Sequence, residues 1–157
     1  MRWDLTLFAD YFQLYVQDDD VEVGDLGEAW DEQTVADMLA VVPHAVGVGT
    51  ARNTKVPVAV VSSPSAPPLD EGAWDHITEA SLDCRTGRLV VAGCSDHFPD
   101  AFRVAVEPGN YRVRAQAVGL GTVGPDGLAG DDRYQLDIWP AALADPTILK
   151  RYPGPRP

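Results

Sequence analysis

Apolar positions along this chain recur mostly with the two-residue period of strands, and one stretch carries the helical period. From Leu5 to Gln17 the chain reads L-T-L-F-A-D-Y-F-Q-L-Y-V-Q, aromatic-rich and without Gly or Pro, which predicts one long strand. Phe8, Phe12, Leu14 and Val16 would share one face and Leu5, Leu7, Tyr11 and Tyr15 the other, so this strand is expected to be central and covered on both sides. Asp18 to Glu28 shows neither period and reads as a surface loop. A helix follows, with Asp31 or its neighbour as its cap, Glu32 and Gln33 in the first turn, Val35, Met38 and Leu39 on one stripe, and Pro43 as its stop. Trp30 precedes the cap, where it can pack back on the first turn as a staple.

From Ala45 onward the pattern is β. Val-rich strands at Ala45 to Ala51 and Val56 to Ser62 flank the polar segment Arg52, Asn53, Thr54 and Lys55, which reads as a hairpin connection or a bulged corner. Pro57 places the second strand at an edge or marks an irregularity. His76 to Arg85 and Arg88 to Cys94 surround the turn pair Thr86 and Gly87 and predict a hairpin. Phe102 to Val106 and Tyr111 to Val118, around Pro108, Gly109 and Asn110, predict another, with Tyr111, Val113, Ala115 and Ala117 on one face and Arg112, Arg114 and Gln116 on the other. Ser63 to Gly72 and Gly119 to Gly130 read as loops, and Asp132 to Trp139 as the last strand, with Tyr134, Leu136 and Ile138 facing in. The sum is a mainly β, single-domain antiparallel β-sandwich or barrel of about eight strands with one short α-helix, spanning 1–150, followed by a flexible Pro-rich tail, 151–157.

Length agrees: 157 residues suffice for one domain with a real core, since a chain of this size buries roughly 70% of its unfolded surface. The N-terminus lacks a cationic segment followed by an apolar run, and no stretch reaches the length that spans a bilayer. Cys84 and Cys94 are therefore expected to be reduced and the chain cytoplasmic.

Charge changes the picture more. From Trp3 to Ala51 there is no Lys or Arg, so the first 51 residues hold eleven acids against Arg2 alone and carry −10 of the net −12. A one-sided negative field repels nucleic acid and anionic membranes and attracts a basic protein surface. With a pI near 4.4 and no basic stripe, nucleic-acid binding is disfavoured. Asp18, Asp19, Asp20, Glu22, Asp25 and Glu28 form the first-choice contact set for a basic partner, against the plainer reading of a solvated acidic loop. They lack the spacing of a calcium loop.

Candidate catalytic chemistry is thin. His44, His76 and His97 with Cys84 and Cys94 show no zinc-ligand spacing, and no nucleophile elbow, phosphate loop or dinucleotide fingerprint occurs. No cofactor or metal is expected, and no catalytic residue is assigned. Trp30, Trp74 and Trp139 read as packing residues more than as a ligand platform. Arg52, Asn53, Thr54 and Lys55 bring in the first bases after about fifty residues, Arg52 and Lys55; they read as a polar turn with Arg52 bracing an acid, or as contact residues.

At these residues the chain resembles the competence-associated inhibitors of the bacterial DNA-entry nuclease. The likeness runs through Y-F-Q-L-Y, the Q-D that follows it, Trp30 opening the acidic helix, and A-R-N-T-K entering a strand, with no gap between Trp30 and Lys55. The Thr86-Gly87 turn, the P-G-N-Y of Pro108 to Tyr111 and the D-D-x-Y-x-x-D of Asp131 to Asp137 follow in the corresponding order. The Ser63 to Leu69 loop, the Gly119 to Gly130 loop and the tail depart from shorter members. The resemblance implies the fold and a non-enzymatic protein that binds and inhibits a basic nuclease. The alternative is a small-ligand or carbohydrate-binding β-sandwich that stacks its ligand on Trp74, Phe98 and Tyr152. Self-association through an edge strand is open to any antiparallel fold.

Overall fold

The computed structural model describes residues 1–154. Eleven strands build two separate sheets with two short α-helices beside them, in place of one closed barrel or eight-stranded sandwich. The first sheet holds β1 (Arg2–Phe8), β5 (Lys55–Ser62), β10 (Arg133–Pro140), β9 (Gly109–Val118), β6 (His76–Cys84) and β11 (Thr147–Lys150), in that spatial order. The second holds β3 (Leu39–Val42), β4 (Ala45–Gly49), β2 (Gln13–Asp18), β7 (Arg88–Gly93) and β8 (Phe102–Ala105). Eight of the nine strand pairs fit the expected antiparallel architecture, but β5 and β10 run parallel, Tyr134 opposite Val58.

The core lies where the sheets face. Leu14, Val16, Val46, Val48, Leu89 and Val91 of the second meet Val56, Val58, Val60, Leu82, Val113, Leu136 and Ile138 of the first. The inward set Tyr111, Val113, Ala115 and Ala117 is as the alternation predicts, and so are Tyr134, Leu136 and Ile138. The opposite face of β9 is buried too. Glu79 pairs with Arg112 and Arg114, and the loop carbonyls of Pro67, Ala144 and Asp145 take their remaining N–H groups. The Pro-rich loop thus covers the outer face of the first sheet.

Several expected elements are corrected. The strand expected over Leu5 to Gln17 breaks at a single 3-10 turn, Asp10–Phe12, and its halves enter different sheets. Tyr11 and Phe12 sit in the left-handed region (φ 57° and 62°), which turns the chain from β1 into β2. The two expected hairpins are corners between sheets: β6 and β7 across Thr86-Gly87, and β8 and β9 across Pro108-Gly109. Gly87 takes φ 79°, and its carbonyl accepts Val106 N–H at 2.9 Å, so the two corners stack. The Arg52 to Lys55 segment is likewise a corner, from β4 to β5. Pro57 lies in an internal strand, one residue before the ladder to β10 begins, where its missing N–H leaves no gap in that ladder.

The helix at Asp31 forms as α2 (Glu32–Asp37), with a capping box between Asp31 and Thr34. It ends earlier than Pro43: Met38 takes a left-handed φ of 56° and Leu39 to Val42 become β3. Met38 and Leu39 are buried, while Val35 of the expected stripe is 56% exposed. A second helix, α1 (Leu26–Ala29), forms where a loop is expected; Asp25 caps it and Leu26 anchors it in the protein. Asp132 to Trp139 is followed by one more strand, β11. Of the stretch 151–157, Arg151 donates to Ala36 C=O and pairs with Asp37, and Tyr152 N–H donates to His76; residues 155–157 lie outside the described residues.

Candidate functional site

The acidic run divides at Asp19. Asp18 and Asp19, at the end of β2, are buried. The Asp18 carboxylate accepts Arg85 N–H at 2.6 Å, Thr86 hydroxyl at 2.6 Å, Thr86 N–H at 3.3 Å and Cys84 Sγ–H at 3.4 Å. Burial pushes its pKa up, but the Thr86 hydroxyl and the two N–H groups outweigh it and hold the carboxyl below its ordinary value. Asp19 accepts from Arg103 and Arg88 at 2.9 Å each, and the Arg103 bond, opposed by burial and aided by Arg88, lowers its pKa as well. These two carboxylates close the corners between the sheets and offer nothing to a partner. Asp20, Glu22, Asp25 and Glu28 are exposed. Asp20 shares only Arg88, at 3.3 Å, and the cap of Asp25 on Glu28 N–H leaves its charge at the surface.

Arg52, Asn53, Thr54 and Lys55 do structural work at the opposite end of β2. Arg52 Nε donates to the buried Asp132, which also accepts the Tyr134 hydroxyl, and that hydroxyl accepts Ala51 N–H at 2.7 Å. Burial first, and then Asp132, drive the Tyr134 pKa up. Asn53 Oδ1 accepts Tyr11 N–H at 2.7 Å, Asn53 N–H donates to Gly127 C=O at 2.7 Å, and Thr54 C=O accepts Ala9 N–H at 2.9 Å. Phe12 C=O accepts Thr50 N–H at 2.9 Å. The segment therefore clamps the Tyr11–Phe12 corner. Each left-handed residue there costs about 1 kcal/mol, which these bonds offset. Lys55 is exposed and opens β5 opposite Phe8.

Beside this corner lies a cleft of about 330 Å³ lined by Tyr11, Phe12, Trp30, Val35, Met38 and Tyr152, with Gly49 and Thr50 of the β4 end among its walls. Its position follows from β4: Val46 and Val48 point to the core, so Gly47 and Gly49 lie on the other face with no side chain. A Cβ on Gly47 would stand 2.9 Å from Trp30 Cζ2, and one on Gly49 2.9 Å from Met38 Cα. Trp30 is thus set against the sheet. Its indole N–H is buried and has no hydrogen-bond partner among the described residues. Tyr15, on the same face of β2, has its pKa pushed up to about 12 by burial, with the Cys94 thiol adding to the rise.

The remaining candidates disperse. Trp74 is buried beneath Arg133 (5.3 Å), Phe98 lies beneath Arg103 (5.1 Å) and Trp139 beneath Arg114 (5.0 Å), so of the aromatics proposed as a stacking surface only Tyr152 lines the cleft. His44 bonds Asp83 C=O, His76 bonds Asp37 C=O, and His97 bonds Asp100. Among the described residues no group of three or more His, Cys, Asp or Glu side chains is placed to hold a metal ion, and no helix is long and apolar enough to cross a membrane. Both cysteines are free, Cys84 buried and Cys94 exposed.

Sequence reasoning did not find the cleft, although the G-V-G of β4 and the aromatic corner were its traces. No protein-family model and no curated sequence matches the chain. Two solved structures share its fold. ComJ from Bacillus subtilis, inhibitor of the DNA-degrading activity of NucA, superposes with a TM-score of 0.69 at 14% identity over 90% of this chain and 98% of that one. The product of crocagin biosynthetic gene J superposes at 0.60 with 15% identity over the same shares. The fold implied by the resemblance in sequence is the fold observed, at identities that speak for architecture.

Proposed function

We propose that this chain is a non-enzymatic inhibitor of a basic bacterial nuclease, acting in the cytoplasm through protein–protein contact. The observation that carries this reading is the exposed remainder of the acidic run: Asp20, Glu22, Asp25 and Glu28 stand at the surface, and among the described residues Asp20 alone of the four has a basic ion-pair partner, Arg88. A nuclease site is positive because it holds phosphates, and such carboxylates imitate phosphates while steering association. ComJ, which has this fold, inhibits the DNA-degrading activity of NucA and so supplies precedent for an inhibitor of this architecture. The same field gives nucleic acid and anionic membranes no foothold.

The test begins with capture from the host lysate at low salt and elution at high salt, followed by titration of any recovered nuclease in a DNA-cleavage assay. Stoichiometric loss of cleavage is expected. In stopped flow at low ionic strength, the variant D20N/E22Q/D25N/E28Q should associate on the order of tenfold more slowly, with a flatter salt dependence. Retention of no nuclease, or unchanged cleavage at excess protein, removes the inhibitor reading; unchanged association of the variant removes these four residues from it.

A further inference from the structure

Apolar side chains stand exposed around the cleft: Tyr11 at 72%, Val35 at 56% and Phe12 at 38%. The cleft is large enough for a ligand group, at the lower end of the range that binding pockets occupy. Backbone strain gathers there as well. Of the five non-glycine residues with positive φ among the described residues, Tyr11, Phe12 and Met38 line this one cleft. Such strain persists where the surroundings impose it, and here Asn53, Thr50 and Gly49 hold the three residues through hydrogen bonds. The Trp30 indole adds a donor that no group among the described residues uses. Aromatic walls, a soft thioether at Met38 and one unspent N–H suit a flat apolar group with a carbonyl beside it.

Charge says what carries that group. Asp10, Asp25, Glu28, Asp31 and Glu32 each lie within two residues of a lining residue. The bases equally near are committed elsewhere: Arg52 to Asp132, Lys150 to the carbonyls of Glu71 and Trp74, and Arg151 to Asp37. An apolar cleft with an acidic chain neighbourhood complements an aromatic side chain flanked by bases. We infer that the cleft is a docking site for an extended segment of a basic protein partner, which seats one aromatic side chain between Tyr11, Trp30 and Met38 and lends a backbone carbonyl to the Trp30 indole N–H. This rests on the inhibitor reading for the partner's identity and on the cleft alone for the mode of recognition.

The experiment follows the four indole N–H resonances of the ¹⁵N-labelled protein, with Trp30 assigned through Trp30→Phe, during titration with the N-acetylated, C-amidated tripeptide Lys-Phe-Lys. The Trp30 resonance should shift and saturate with a Kd on the order of 1 mM, as suits a single anchor group. The capped peptides Lys-Ala-Lys and Glu-Phe-Glu should bind about tenfold more weakly or less, as loss of the ring or of charge complementarity requires. Val35→Lys, at an exposed position, should abolish the shift while leaving the other three indole resonances in place. An unmoved Trp30 resonance, equal response to all three peptides, or full response in Val35→Lys overturns the proposal. So does saturation by free phenol or glucose with none by the peptide, which marks a small-ligand site, and so does a shift on dilution of the protein alone, which marks a second copy. Peptide binding without any inhibited nuclease removes the proposed function and keeps the cleft; inhibition with an unmoved Trp30 resonance does the reverse.

Discussion

The two ends of β2, roughly 17 Å apart along the strand, are built in opposite ways. At the Asp18 end the polar groups are spent: one buried carboxylate takes four donors and the next, also buried, takes two guanidinium groups. At the Tyr11 end the backbone is held in the left-handed region, aromatic rings face an open cleft, and an indole N–H has no partner among the described residues. Negative charge alone thus does not mark the site on this molecule. A satisfied acid closes a corner, and unsatisfied apolar and polar surface marks where something else can bind.

The largest effect that would test this contrast is on Asp18. Asp18→Ala strips the part-buried Arg85 N–H and Thr86 N–H of their acceptor and should cost about 3 kcal/mol in urea unfolding. Asp18→Asn keeps an acceptor oxygen and should lose less. A loss under about 1 kcal/mol for the alanine variant would mean that the corner is held by packing and that the two ends do not differ as described.

Acid sharpens the same point. Asp18 and Asp19 both have folded-state pKa values below their unfolded ones, near 3.9. Their contribution is therefore complete above about pH 4 and is lost as pH falls through the lower folded values. Protonation of surface acids relieves the repulsion within a chain of net charge −12 and works in the other direction, so the difference between wild type and Asp18→Asn is the informative curve. That difference should shrink below about pH 4, followed by circular dichroism; a difference that stays constant to pH 2 would show that Asp18 acts by shape and not by charge.

How much of this could be read from the chain follows from the range of each interaction. The Val-rich β4 and β5, the inward residues of β10 and the helix cap at Asp31 are local patterns, and they appear where the pattern puts them. Sheet membership is not local. Thr86-Gly87 carries a hairpin signal, yet the following strand joins the other sheet because Asp18, 67 residues before Arg85, accepts that corner's N–H groups. Asp18 and Asp20 look alike in sequence, and only the distant Cys84, Arg85 and Thr86, which donate to Asp18, separate a buried acid from an exposed one. Tyr11 and Phe12 have strand composition, so the turn they make was hidden until Asn53 was seen to fix it. R-N-T-K stood out for its charge and proved to matter through an amide oxygen.

A smaller effect is expected at Asn53. Asn53→Ala removes the acceptor of Tyr11 N–H and should cost about 1–2 kcal/mol, concentrated at the corner. Hydrogen exchange at Tyr11 and Thr50 should accelerate while that at Val16 and Val91 stays slow. Uniform acceleration would mean that the corner unfolds only with the core, and the cleft would then be no more labile than the Asp18 end.

The smallest effect separates neighbours. Asp20 has φ 54°, a conformation that Asn tolerates, and its pair with Arg88 joins side chains that are 74% and 51% exposed. Asp20→Asn should therefore change stability by less than about 0.5 kcal/mol, as exposed pairs contribute little. Asp19→Asn, one residue earlier, leaves Arg88 and Arg103 around an uncharged buried amide and should cost about 2–3 kcal/mol. If Asp20 proved as costly as Asp19, the acidic run would be structural through its length and unavailable to a partner. If Asp20→Asn instead leaves the fold untouched while slowing association with a basic nuclease, the division of the run at Asp19 is the boundary between what this fold needs and what it presents.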